Sequence, residues 1–139
     1  GDWQWGGSAE QVEQTIRQGR NAAMPGWQPV LAAPELRAVA DFVGSLAAGA
    51  GAEHPGRATF AQYCAACHGS SGDGNSLLGA PRLNDAVWLY GGTPEAIAAT
   101  VAGGRNGRMP AFGARLDDLQ IRLLVAWLTA PGQAAARAP

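Results

Sequence analysis

The 139-residue chain has two cysteines, and they sit together as Cys64-Ala65-Ala66-Cys67, followed at once by His68, one of two histidines. Two thiols three positions apart with an imidazole beside the second have three chemical uses: covalent haem attachment, a dithiol redox pair, or half of a zinc site. Zinc needs a second ligand pair, and the one unused histidine is His54, directly before Pro55. A thioredoxin-like pair follows a strand and opens a helix within an alternating pattern. No convincing strand is legible here. Residues 56–64 read instead as a helix running into the motif, with Phe60 and Tyr63 at i, i+3 spacing.

Haem attachment makes further demands on the chain. Both thiols bond to the vinyl groups of one porphyrin, and the adjacent His68 reaches the iron as proximal ligand. A sixth ligand then comes from far along the sequence. Of the two methionines, Met109 lies within Gly104-Arg105-Asn106-Gly107-Arg108-Met109-Pro110, read as a loop whose glycines and Pro110 let the sulfur turn inward. A metal-bound histidine also needs an acceptor for its other ring nitrogen. The segment Gly79-Ala80-Pro81-Arg82-Leu83 is suited to this, with the Pro81 carbonyl as acceptor and Leu83 packing on the porphyrin.

The phrases YCAACHG, GAPRLND, WLYGG and GRNGRMPAFG, within Phe60 to Pro110, resemble a class I c-type cytochrome domain. More narrowly they resemble the diheme cytochrome subunit, subunit III, of cbb3-type haem-copper oxidases. The phrase Trp88-Leu89-Tyr90-Gly91-Gly92, followed by a helix and then Gly-Arg before Met-Pro, carries the narrower likeness. The resemblance covers residues 55 to about 130. It implies Cys64 and Cys67 as thioether residues of one haem c, and His68 and Met109 as its axial ligands. Pro81, Leu83, Trp88 and Arg105 then line the haem pocket, with Arg105 or Arg108 facing a propionate or a partner protein. The activity implied is electron transfer without substrate chemistry. The setting implied is the periplasmic side of a bacterial inner membrane, with redox partners that include other subunits of a membrane oxidase. An electron-accepting domain of a periplasmic dehydrogenase, a free-standing diheme cytochrome and a haem-based gas sensor are the other readings.

The elements that must position these residues are helical. Ser8-Ala9-Glu10-Gln11 reads as a capping box ahead of Val12 and Ile16, and Gly19 stops that helix. Pro34 opens a second helix with Leu36, Val39, Ala40 and Val43 on one stripe, ended by Gly49-Ala50-Gly51. Thr93-Pro94 starts a helix to about Val101. Asp117 starts the last helix, whose stripe is Ile121, Leu124, Val125 and Leu128 extended by Trp127, and Pro131-Gly132 ends it. In the family resembled, the first and last helices cross near a glycine and an aromatic, roles that fall on Gly56, Phe60 and Trp127.

A shift of 85 residues aligns the chain with itself. Trp3 meets Trp88, Gly6-Gly7 meets Gly91-Gly92, Gly19-Arg20-Asn21 meets Gly104-Arg105-Asn106, and Met24-Pro25 meets Met109-Pro110 without a gap. One repeat of a whole haem unit fits this, whereas a solenoid needs shorter periods and more copies. Residues 1–49 therefore read as a truncated cytochrome-like half-domain with a methionine loop and last helix, lacking its attachment half. The sequence is accordingly expected to be a fragment of a longer diheme chain. Met24 is either the ligand of a haem held elsewhere or a filler of apolar space. The organisation expected is all-α: the half-domain at 1–49, a linker at 50–54, a complete class I cytochrome c fold at 55–131 and an Ala-rich frayed tail at 132–139.

Composition excludes other classes. Ten arginines against eleven acids leave a net charge of -1, without the clustered basic excess that nucleic acid binding needs. No apolar run approaches the roughly 20 residues that cross a bilayer. The first residues, Gly1-Asp2-Trp3-Gln4-Trp5, do not have the pattern of a secretory signal. Charged residues make up 15% and hydrophobic ones 47%, which is incompatible with wholesale disorder.

Overall fold

The computed structural model describes residues 3–49 and 51–131. The tail expected at 132–139 and linker residue Ala50 lie outside the described residues. The order of elements is α1 (Ala9–Gln18), β1 (Arg20–Met24), α2 (Ala33–Ser45) with a short 3-10 turn at Leu46–Ala48, α3 (Arg57–Tyr63), α4 (Ala65–His68), α5 (Pro94–Gly103), β2 (Arg105–Met109) and α6 (Asp118–Thr129).

Helix starts follow from local chemistry. The Ser8 hydroxyl accepts the Gln11 N–H at 3.3 Å, while the Gln11 side chain accepts the Ser8 N–H at 3.1 Å, so two of the free amides of α1 are satisfied. Asp117 and Gln120 do the same for α6 at 2.8 and 3.0 Å. Thr93 caps α5, with Pro94 in its first turn.

The all-α expectation needs correction. Residues 20–24 and 105–109, both read as methionine loops, form a two-stranded antiparallel ribbon in which Arg20 pairs with Met109 and Met24 with Arg105. Neither strand has an alternating apolar pattern, and glycine, arginine and asparagine have weak strand preference. The pairing comes from tertiary placement: each segment leaves a helix through a glycine and meets the other in antiparallel register.

Contacts repeat with the 85-residue offset. Gly19 ends α1 by donating to Thr15 O, and Gly104 ends α5 by donating to Thr100 O, both at 2.9 Å. Arg20 Nε donates to Thr15 Oγ1 at 2.9 Å, and Arg105 Nε to Thr100 Oγ1 at 3.1 Å. Arg20 stacks on Trp5 at 4.8 Å, and Arg105 on Tyr90 at 4.5 Å. The chain after each methionine then docks on the other repeat: Trp27 and Gln28 donate to Val101 O and Ala102 O, while Phe112 and Gly113 donate to Ile16 O and Arg17 O. The two repeats are thus related by an approximate dyad through the ribbon, and each strand carries its chain across it.

This crossing decides the packing. The larger core cluster joins Leu31, Val39, Ala40, Phe42 and Val43 to Phe60 and Cys64 of the motif region and to Ile97 and Val101 of α5. The smaller joins Val12 and Ile16 of α1 to Ile121 and Val125 of α6. Helix α3 is therefore covered by α2. Phe42 and Phe60 meet with ring centroids 5.3 Å apart, and a Cβ on Gly56 would lie against the Ala38 carbonyl. The expected crossing partner Trp127 is 54% exposed. Gly56 and Phe60 keep the roles assigned to them, but Phe42 takes the place expected for Trp127, its equivalent 85 residues on.

Gly104 has φ +71° and ψ -178°, a region essentially confined to glycine. Its missing Cβ is what allows the Met24 carbonyl to approach. Gly104→Ala is expected to destabilise by about 1–3 kcal/mol through backbone strain alone, with more from the clash. Denaturant titration of the haem-loaded chain checks this, and a change below the error of the midpoint is the opposite result.

Candidate haem-binding site

The motif lies where α3 passes into the single turn α4. Amide bonds from Cys64 to Phe60 O at 2.9 Å and from His68 to Cys64 O at 3.0 Å carry the helical path through both cysteines. Cys64 is buried in the larger cluster and Cys67 is exposed, both as free thiols. Burial, with a smaller contribution from Cys67, pushes the Cys64 thiol up to about 11. A dithiol redox site needs the opposite shift, because its attacking sulfur works as a thiolate.

His68 is 7% exposed, and its Nδ1 lies 2.9 Å from the Pro81 carbonyl oxygen. A carbonyl oxygen can only accept, so Nδ1 carries the proton of this bond, which in a neutral ring leaves the lone pair on Nε2. The loop between them is shaped by glycine. Gly74 donates to His68 O at 2.8 Å, and Leu83 donates to Gly72 O at 2.7 Å. Gly74 has φ +79°, and a Cβ there would stand 2.8–3.0 Å from the backbone of Ala80, Pro81 and Arg82. The close approach that presents Pro81 to His68 therefore requires glycine at 74, a requirement visible only in three dimensions.

Of the other predicted pocket residues, Leu83 and Trp88 are half-buried against the Cys64 cluster. Arg105 is engaged with Thr100 and Tyr90. Met109 is not brought to this cluster. It is exposed at the far end of the ribbon, opposite Arg20. Met24 and Trp27 pack there instead, and Trp27 meets Tyr63 with ring centroids 5.2 Å apart. Sequence reasoning did not assign these two to the motif, although the 85-residue repeat was the signal that could have found them.

His54 stands apart from the motif: its Nδ1 accepts the Gly56 N–H at 3.1 Å and its ring lies 5.3 Å from Phe42. Among the described residues no group of three or more His, Cys, Asp or Glu could hold a bare metal ion. The donor set suits a metal that arrives with its own equatorial ligands, as iron does in porphyrin. Leu77, Leu78, Leu89 and Tyr90, downstream of the motif, are more than half exposed, apolar surface for which a porphyrin or a partner would be the cover.

A family model described as cytochrome c oxidase, cbb3-type, subunit III, matches residues 51–128. The chain belongs to this family. A cbb3-type cytochrome c oxidase subunit FixP from Azorhizobium caulinodans is 38% identical over 139 residues, covering 91% of this chain and 47% of the relative. FixP from Bradyrhizobium sp. is 36% identical, covering 94% and 50%. Subunit CcoP from Cereibacter sphaeroides is 35% identical, covering 91% and 49%. The chain spans about half the length of these curated relatives, and the likeness extends well beyond 51–128. Membership of this subunit III family implies a haem c, for which Cys64, Cys67 and His68 are chemically fitted. No helix among the described residues is long and apolar enough to cross a membrane.

Proposed function

We propose that this chain is an electron-transfer module of a cbb3-type oxidase, working through a haem c attached at Cys64 and Cys67 with His68 as proximal ligand. The observation that carries the reading is the buried His68 with its Nδ1 proton held by the Pro81 carbonyl, directly after a Cys-x-x-Cys pair. That bond fixes the ring orientation and raises the basicity of Nε2, the atom that faces a metal. A thioether sulfur from one of the two Met-Pro turns, Met24 or Met109, closes the opposite side.

The haem supplies one-electron cycling between ferric and ferrous iron. The protein's part is to set which state is favoured and to keep other chemistry out. Methionine ligation favours the ferrous form relative to two nitrogen ligands, which suits a relay toward a terminal acceptor. A histidine and a methionine on the iron would leave no place for oxygen or peroxide, which suits a relay and not a catalytic centre. Its partners are other subunits of the oxidase, and its place is the periplasmic side of a bacterial inner membrane. Residues 1–49 are the distal half of a first cytochrome unit, in keeping with an 85-residue offset shared by caps, glycines and arginine contacts.

The test is expression of the chain with a c-type haem attachment system. The expected product gains the mass of one covalent haem, shows a low-spin spectrum and does not bind carbon monoxide when reduced. A chain that exits this system without covalent haem overturns the reading. Rapid carbon monoxide binding by the reduced protein favours the gas-sensor alternative.

A further inference from the structure

We propose that Gln4 and Trp5 are positioning residues for the proximal side of the haem centre: they clamp the turn from Asn75 to Ala80 and so hold the Pro81 carbonyl on His68. The inference rests on the reading of the site as a haem centre, and it brings to that site two residues far from the motif in sequence.

The turn that presents Pro81 has little to hold it from within. Asn75 and Ala80 exchange both backbone bonds, Asn75 N–H to Ala80 O at 2.9 Å and Ala80 N–H to Asn75 O at 3.0 Å. Between them Leu77 and Leu78 are 86% and 52% exposed, so no apolar core anchors the tip. Gly79 is nevertheless buried. Its cover comes from the start of the described chain. The Gln4 side chain donates to the Gly79 carbonyl at 3.1 Å, across 75 residues of sequence. The Trp5 ring stands so close to the Gly79 α-carbon that a Cβ there would overlap it. With φ at +65°, Gly79 is favoured by its own backbone as well as by the ring.

A half-buried tryptophan ordinarily belongs to a core, but Trp5 is part of neither apolar cluster. Its ring instead carries the Arg20 guanidinium, 4.8 Å from the centroid, and Arg20 Nε donates in turn to Thr15 Oγ1 at 2.9 Å. The clamp is thereby fixed to α1 and to the first residue of β1. Residues 3–6 also close on themselves, with Gly6 donating to Trp3 O at 3.2 Å ahead of the Ser8 cap.

Gly79 lies two residues before Pro81, whose carbonyl oxygen is 2.9 Å from His68 Nδ1. On the loop's own side, Gly74 allows the backbone of Ala80, Pro81 and Arg82 to approach. The Pro81 carbonyl is therefore placed by a close approach within the loop and by a clamp from residues 4 and 5. An acceptor held tightly on Nδ1–H makes the imidazole a stronger electron donor and favours ferric iron. Gln4 and Trp5 thus keep the reduction potential low by acting through the loop, and they tie that potential to the placement of α1 and the ribbon.

The experiment compares Trp5→Ala, Trp5→Phe, Gly79→Ala and Ile121→Ala in the full haem-loaded chain. Intact mass first establishes one covalent haem in the parent, which tests the haem reading independently of the clamp. Redox titration then gives the potential, and nuclear magnetic resonance of the reduced protein gives the exchange rate of the His68 Nδ1 proton. Trp5→Ala and Gly79→Ala, which disrupt the contact from its two sides, are expected to raise the potential and speed the exchange. Trp5→Phe, which keeps a ring on Gly79, is expected to restore both. Ile121→Ala opens a cavity in the α1–α6 core and is expected to lower the denaturant midpoint while leaving both readouts at the parent's values. Unchanged potential and exchange in Trp5→Ala overturn the proposal, as does an equal change in Ile121→Ala, which would mean general loosening. Should Trp5→Ala fail to load haem, Gln4→Leu removes the bond to Gly79 alone, and the absence of any shift in that variant overturns the proposal. A parent without covalent haem sinks the haem reading and the clamp's role with it.

Discussion

The Cys64→Ser, Cys67→Ser double variant is expected to carry no covalent haem and to lose most of its helical structure. The reason lies in how little of the chain is buried without the porphyrin. Buried apolar side chains fall into two separate clusters, and the smaller has only four members, Val12, Ile16, Ile121 and Val125. Against them stand Leu77, Leu78, Val87, Leu89 and Tyr90, all more than half exposed. Ordering a residue costs about 1–2 kcal/mol of backbone entropy, and only apolar burial on a comparable scale offsets it. A porphyrin held by Cys64, Cys67 and His68 would add a large apolar surface beside α3 and the 69–83 loop. Because it binds the folded chain, it contributes directly to folding free energy. Far-UV circular dichroism decides the matter: native helix content in the double variant would falsify the claim.

Phe42→Ala is expected to destabilise the haem-loaded chain by about 3–5 kcal/mol, and Trp127→Ala by about 1 kcal/mol or less. Phe42 is 3% exposed and meets both Phe60 and His54 at 5.3 Å. Its removal leaves a cavity that neighbouring helices cannot close without losing the fit of Gly56 against Ala38. Trp127 occupies the equivalent position of α6 but is more than half exposed. In an unexchanged arrangement, with α6 covering α3, the ranking of the two variants would reverse. Denaturant midpoints for both, taken under one condition, are sufficient to distinguish the arrangements.

Physical reasons for the exchange are partly visible in side-chain size. At the crossing with α3, helix α2 offers Ala38 where α6 has Leu123, and a small residue lets two helix backbones approach. Further along, α2 has Gly44 against Ile97 of α5, where α6 has Thr129. The apolar stripe is the same on both helices, and fit at the contact separates them.

What was legible in the residues was everything with a local cause. The caps at Ser8, Thr93 and Asp117 could be read because an N-cap is satisfied within three residues of itself. The helix into Cys64 followed from periodicity. The Cys-x-x-Cys-His motif, and the acceptor at Pro81 for its histidine, followed from residue types that few other chemistries combine. The repeat at an offset of 85 was likewise a property of the string.

The ribbon and the covering of α3 by α2 were settled by tertiary structure. Segments 20–24 and 105–109 become strands because they meet each other, and neither has the alternation that would announce a strand alone. The two last helices have interchangeable patterns, so pattern cannot say which one covers α3. Met24 and Met109 stand in near-identical local sequences, and the opposite ends of the ribbon that they occupy set them apart. Local sequence specifies parts that work equally well in either partner, and when a chain contains such parts twice, the assignment rests on long-range packing.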